Sequence, residues 1–217
     1  MYKNHSANAR RESEEMKYFF YVSGLLLLSL GIALTILSDL GTSPFDALLV
    51  GLSFNVGLTV GSWEIIIAAI MIVGNAMLGR QRPELLGIMT AVIVGIGIDL
   101  WLHTLSAVVI PANITNQMLY FTAGLLAVGV GSAIYLHTNF APIPVDRLTL
   151  LVKELAKTNL FVSRTAIYLM FLVLAIVFSG PIGIGTVLTV CFGGLILNAI
   201  MPVTAKTLDR VLLPNHH

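Results

Sequence analysis

The sequence predicts an all-α, polytopic membrane protein: six transmembrane helices built as two inverted three-helix repeats, each with a short interfacial or re-entrant helix after its first span. Three observations carry that prediction. Six apolar stretches are long enough to cross roughly 30 Å of hydrocarbon. All 12 Lys and Arg residues fall on one side of the topology those stretches define. Residues 24–46 also align without a gap on residues 124–146.

Composition sets the class before any motif does. Hydrophobic residues make up 57% of the chain and charged residues 11%, with a mean hydropathy of +0.91, whereas soluble domains carry about 25% charged residues. A net charge of +1 provides no basic field for nucleic acid. The single cysteine, Cys191, rules out an intramolecular disulfide and a thiolate metal centre, and no cofactor is expected.

Taken in order, a basic head at 1–18 precedes a first span at 19–38, which is too long for a signal-peptide core and reads as an uncleaved helix. Pro44 opens a short helix at 44–57, and spans follow at 62–79 and 85–103. The uncharged linker 104–118 leads to spans at 119–137, 162–179 and 184–201, with a second short helix at 144–156 after Pro144 and a tail at 202–217. Each short helix is too brief to cross a bilayer. Counting both as spans would place Arg80, Arg82 and Arg147 outside and the uncharged linker inside, so the positive-inside rule selects six spans with both ends cytoplasmic.

In the repeat, Gly24, Gly31, Ala33, Pro44 and Asp46 return as Gly124, Gly131, Ala133, Pro144 and Asp146; later, Gly87, Ile88 and Thr90 return as Gly183, Ile184 and Thr186. Hydrophobicity does not explain a shared Pro and Asp at constant offset. Three spans per copy invert the second copy, as in secondary transporters whose sites lie between such repeats.

The turn Gly41-Thr42-Ser43-Pro44-Phe45-Asp46 reads as a helix stop followed at once by a helix start. Asp46 is then a capping carboxylate. The same residues also suit a solute cavity, because broken backbone inside a membrane belongs where it lines one. Asp146 and Arg147 occupy the counterpart turn, whose helix is amphipathic: Val145, Leu148, Leu151, Val152 and Leu155 on one side, Asp146, Lys153, Glu154 and Lys157 on the other. That pattern predicts a helix lying in the interface, with anionic lipid within reach.

Ionisable residues within spans are functional candidates because lipid makes them costly. Glu64 and Arg164 stand near span ends, from which a long side chain can also snorkel to the interface. Asp99 follows Gly95 and Gly97 near the end of the third span. Asn198 and Asn75 suit hydrogen bonds between helices. Signatures of metalloprotease, hydrolase or phosphate-loop chemistry are missing, so no enzyme is expected.

The segment LGTSPFDALLVGLS (40–53), with Thr59-Val60-Gly61-Ser62 and Gly95 to Asp99, resembles the YczE/YitT-type bacterial membrane proteins. The second turn departs from the family's Gly-x-Gly-Pro-Arg-Asp-like pattern through Ala141, Pro142, Ile143 and Val145. The resemblance implies a bacterial inner-membrane location.

The expected function is a small transporter-like protein binding or moving a small solute or amphiphile between the repeats, with carboxylates suited to proton coupling. Thr42, Ser43, Asp46, Glu64 and Asp99 form the expected outer polar set, and Asp146, Arg147, Arg164 and Asn198 the inner one. The alternative is a scaffold or regulatory protein that binds other membrane proteins. Besides the lipid bilayer, a small bundle of this kind allows a homodimer.

Overall fold

A computed structural model describes the backbone of residues 2–212 and the side chains of residues 14–210. All regular structure among these residues is helical: α1 (Tyr2–Leu37), α2 (Pro44–Val56), α3 (Val60–Gly79), α4 (Leu86–Leu105), α5 (Ile114–Thr138), α6 (Pro144–Leu155), α7 (Leu160–Val177) and α8 (Ile184–Leu212). Six of them, α1, α3, α4, α5, α7 and α8, are long and apolar enough to cross a membrane. The expected all-α class with six spans and short intervening helices is the observed one.

Two boundaries differ from expectation. Residues 2–18, expected as a head before the first span, are helical and continuous with it as the first turns of α1, because neither Gly nor Pro interrupts them. At the other end α8 continues beyond residue 201, through Pro202, to Leu212. The side chains of Lys3, Arg10 and Arg11, and the tail from residue 213, lie outside the described residues.

The centre of the bundle is the crossing of α1 and α5. A Cβ at Gly31 would stand 2.6 Å from the Gly124 carbonyl oxygen, and one at Gly24 3.1 Å from that of Gly131. Two helix backbones therefore touch directly. The contacts run in opposite order along the two chains, so α1 and α5 are antiparallel.

After each of these helices the chain breaks and restarts. Asp39 (φ +61°) and Gly41 (φ +91°) turn the chain after α1, and Asn139 (φ +49°) does so after α5. Gly41 has a second reason to be glycine, since a Cβ there would lie 2.5 Å from the Gly183 nitrogen. Proline then occupies the first turn of both α2 and α6. Thr59 caps α3 and Asn159 caps α7, each accepting from the backbone N–H three residues on. These local devices recur at the spacing that relates Asp46 to Asp146.

The short helices tie the two halves together. α2 packs along α7, where Phe45 meets Phe171 edge to face at 5.0 Å, and Ala47, Leu48, Met71, Ile167 and Phe171 share one buried cluster. α6 packs along α3, and Asn75 Nδ2 donates to the Pro144 carbonyl at 3.0 Å. The expected apolar face of α6 thus meets protein: Val145, Leu148 and Val152 pack on the same cluster. Asp146 departs from the expected polar face and turns inward. Gly185 N–H donates to the Leu40 carbonyl at 2.7 Å, docking the turn before α2 on the start of α8.

One pairing is not matched between the halves. α3 and α4 lie tightly together, with Gly61 against Gly95 so close that a Cβ on either would strike the other's carbonyl. α7 and α8 stand apart. In the repeat register Phe161 replaces Gly61, and it is 79% exposed.

Replacing Gly31 or Gly124 by Leu is expected to separate α1 from α5 and to destabilise the protein by at least about 1–3 kcal/mol, the usual cost of overpacking. Gly74→Leu, on a face with open space around it, is expected to be neutral. Thermal unfolding in a mild detergent compares the three.

A polar cavity between the two halves

A cavity of about 420 Å³ lies beside the α1–α5 crossing, walled by those helices and by α7 and α8. Its lining is mostly apolar, including Leu28, Ile32, Leu125 and Val128, and four ionisable groups face it: Asp46, Glu64, Asp146 and Arg164. Leu160 and Met201 on its rim are 48% and 39% exposed. With Leu150 on α6, 40% exposed, these residues put the opening on the side of α6, α7 and α8, where α7 and α8 pack only loosely.

The chain break before α2 delivers the first polar group. Ser43 Oγ accepts from the Asp46 N–H at 3.1 Å and donates to Asp46 Oδ2, so the expected cap is formed. Beside it, the hydroxyls of Thr42 and Thr35 meet at 2.8 Å. Asp46 is 7% exposed and still reaches the cavity. The cap is therefore made by Ser43, whereas the Asp46 carboxylate, expected as a cap, accepts from the Ser43 hydroxyl and lines the cavity.

Glu64 differs from its neighbours. It does not snorkel to an interface: the residue is 3% exposed and lines the cavity one turn into α3. Among the described residues it makes no hydrogen bond or ion pair, and Asp46 lines the same cavity. Two carboxylates thus share one corner without a cation between them.

At the other end the charges are matched. The cap position before α6 is Ile143, which has no side chain able to cap, so Asp146 is free to engage the cavity. It accepts from the Tyr135 hydroxyl at 2.7 Å and lies 3.7 Å from Arg164 Nη2. The Arg164 guanidinium also sits 5.8 Å from the Tyr168 ring centroid. It reaches toward α8, where a Cβ at Gly194 would stand 3.9 Å from Nη1.

Seven of the nine residues named from sequence line this one cavity: Thr42, Ser43, Asp46, Glu64, Asp146, Arg164 and, exposed at the rim, Asn198. Asp99 and Arg147 do not. Asp99 accepts from Gly61 N–H at 2.8 Å and from the Thr59 hydroxyl, fastening α3 to α4. Arg147 pairs with Glu84 at 3.0 Å and donates to Gln81 at 2.8 Å, holding α6 on the α3–α4 turn. Tyr135, Tyr168 and Thr149 also line the cavity, and sequence reasoning does not single them out. For Tyr168, in the middle of its span, the available signal is that a buried hydroxyl needs a partner.

Residues 16–202 match a family described as "Family of unknown function (DUF6198)". The chain belongs to this family. Among its relatives is the uncharacterized protein YyaS of Bacillus subtilis, 54% identical over 191 residues, which span 88% of this chain and 95% of that one. The uncharacterized membrane protein YczE of the same organism is 33% identical over 195 residues, 89% of each chain. An uncharacterized protein of Haemophilus influenzae is 23% identical over 184 residues, 84% of this chain and 82% of that one. No solved structure matches the chain. The YczE likeness expected from the Gly-Thr-Ser-Pro-Phe-Asp turn is therefore real, and with six span-length apolar helices this DUF6198 member is a membrane protein.

The two classes of carboxylate are expected to respond oppositely to substitution. Asp99→Ala leaves Gly61 N–H without its partner and should cost about 1–3 kcal/mol, the penalty for an unsatisfied buried donor. Glu64→Gln exchanges an unpartnered buried carboxylate for a neutral isostere and is expected to leave stability unchanged or raised. Thermal unfolding of both variants alongside the parent checks this.

Proposed function

We propose that this protein binds a small amphiphile or solute in the cavity beside the α1–α5 crossing and moves it across the membrane, the cavity lying between two inverted repeats. The observation that carries the reading is the polar chamber itself. A bundle selected for packing alone gains nothing from Asp46, Glu64, Asp146 and Arg164 deep between its spans, where each charge is costly.

Several features support the inverted arrangement. The two halves share helix breaks, prolines and caps at constant spacing, and α1 and α5 are antiparallel. A site where interrupted helices from two such halves converge is where secondary transporters bind their cargo. The opening on the side of α6, α7 and α8 would admit a molecule directly from the hydrocarbon, which favours an amphiphile. Exchange of the cargo against protons at the carboxylates fits the same site. We place the protein in the bacterial inner membrane with both ends cytoplasmic, because this orientation puts all 12 Lys and Arg residues inside.

In proteoliposomes, the purified protein is expected to move members of a broad panel of amphiphiles and small solutes. Ser132→Trp, which fills the cavity from the α5 wall, is expected to abolish that movement. A panel in which nothing moves and nothing raises the unfolding temperature would overturn the proposal.

Orientation is tested separately. On a Cys191→Ser background, a cysteine at Ala112 is expected to react with an impermeant thiol reagent in intact cells, and one at Ala156 to react only after lysis. The reverse pattern would invert the orientation.

A further inference from the structure

We infer that the cargo of this cavity is a lipophilic organic cation, whose positive centre is held by Glu64 and Asp46. The inference rests on reading the cavity as a binding site and adds the chemical class of what binds there.

Charge balance provides the first argument. Three carboxylates and one guanidinium face the cavity, and no Lys or His joins Arg164 among its lining residues. Arg164 is already engaged by Asp146 and by the face of Tyr168. The corner formed by Asp46 and Glu64 therefore has no cation of its own. Burying two like charges together is unfavourable until an opposite charge arrives.

Comparison of the two halves locates the missing charge. In the register that relates Asp46 to Asp146, Glu64 occupies the place of Arg164. The second half thus carries an acid with a built-in base, whereas the first half carries an acid beside another acid. Asp46 is satisfied on one side by Ser43, but Glu64, 3% exposed, has no partner among the described residues and faces the chamber. An incoming ammonium or phosphonium centre would complete in the first half the pairing that Arg164 completes in the second.

Size and lining decide what kind of cation. Among the described residues no three metal-ligating side chains converge, and a chamber of about 420 Å³ falls in the range of organic ligand sites. Leu28, Ile32, Leu125 and Val128 provide apolar walls for a hydrophobic body. Phe45 adds an aromatic ring to the lining, a group to which organic cations are attracted. The opening on the side of α6, α7 and α8 suits a molecule that has already partitioned into the bilayer.

Tetraphenylphosphonium and tetraphenylborate share shape and hydrophobicity but differ in sign, so they separate charge recognition from partitioning. Full-length protein in phosphatidylcholine nanodiscs, with empty nanodiscs as the background, is expected to bind tetraphenylphosphonium saturably and tetraphenylborate not at all. Glu64→Gln and Asp46→Asn should each weaken binding at least tenfold, and Glu64→Asp should restore most of it. Acidification should compete with the cation, because protonation removes the charge that holds it. Unfolding temperatures of all variants confirm that the comparison is between folded proteins.

Equal binding of both ions, or tetraphenylphosphonium binding unchanged in Glu64→Gln, would overturn the cation assignment. If tetraphenylborate or a neutral amphiphile binds instead and Ser132→Trp removes it, the cavity is a binding site but not one for cations. If no probe shows binding sensitive to Ser132→Trp, the cation inference and the binding-site reading fall together.

Discussion

Gly24 and Gly31 on α1 and Gly124 and Gly131 on α5 bring two helix backbones into contact, whereas side chains ordinarily hold helix axes about 8–10 Å apart. Lipid provides little hydrophobic drive between helices, so packing of this closeness is itself a main source of cohesion in a membrane bundle. The contact also sets the geometry of the remaining helices. Two antiparallel helices that cross so closely carry their chain breaks toward opposite ends of the bundle. Each short helix then crosses over to pack on the second long helix of the other half, α2 on α7 and α6 on α3. The halves are interlocked as a result, and neither can bury its apolar face without its counterpart.

On that shared framework the side chains have diverged. The α3–α4 pair is closed by Gly61 against Gly95 and fastened by Asp99, both of whose oxygens are occupied. In the corresponding place α7 presents Phe161, too large for such an approach, and the α7–α8 pair is open. The polar groups diverge in parallel. Ser43 caps α2 and engages Asp46, whereas Ile143 leaves Asp146 free for Tyr135 and Arg164. Similar backbone devices therefore yield one half that is closed and acidic and another that is open and charge-paired.

Much of this is legible in the sequence, for identifiable reasons. Span number follows from run length, and the break after α1 follows from Gly41, Ser43 and Pro44, whose conformational and capping preferences are local. Thr42, Ser43 and Asp46 are readable as one set because they flank Pro44 in a single turn, and Asp146 joins them because the repeat places it at constant offset from Asp46. Depth and direction are not readable. Glu64 near a span end has the reach to snorkel, and whether it does so depends on how the other helices enclose it, which is a tertiary fact. Asp99 looks as suited to function as Glu64 until Gly61 brings a backbone N–H within 2.8 Å. The full extents of α1 and α8 escape a hydropathy reading because hydropathy marks where lipid begins, while the helices run on past that boundary, α8 even through Pro202.

The contrast between Asp99 and Glu64 separates structure from function more sharply than residue type does. Both are acids on the long helices of the first half, and both are ionisable groups that hydrocarbon disfavours. Each Asp99 oxygen has a donor opposite it, and removing those donors would loosen α3 from α4. Glu64 stabilises nothing that the described residues contain. A buried carboxylate with no partner is a standing cost to the fold, and an apolar residue of similar volume would relieve it. On the cation proposal its presence is accounted for when the chamber holds something of opposite charge, and the sequence register that relates Asp46 to Asp146 puts that charge where Arg164 stands in the other half.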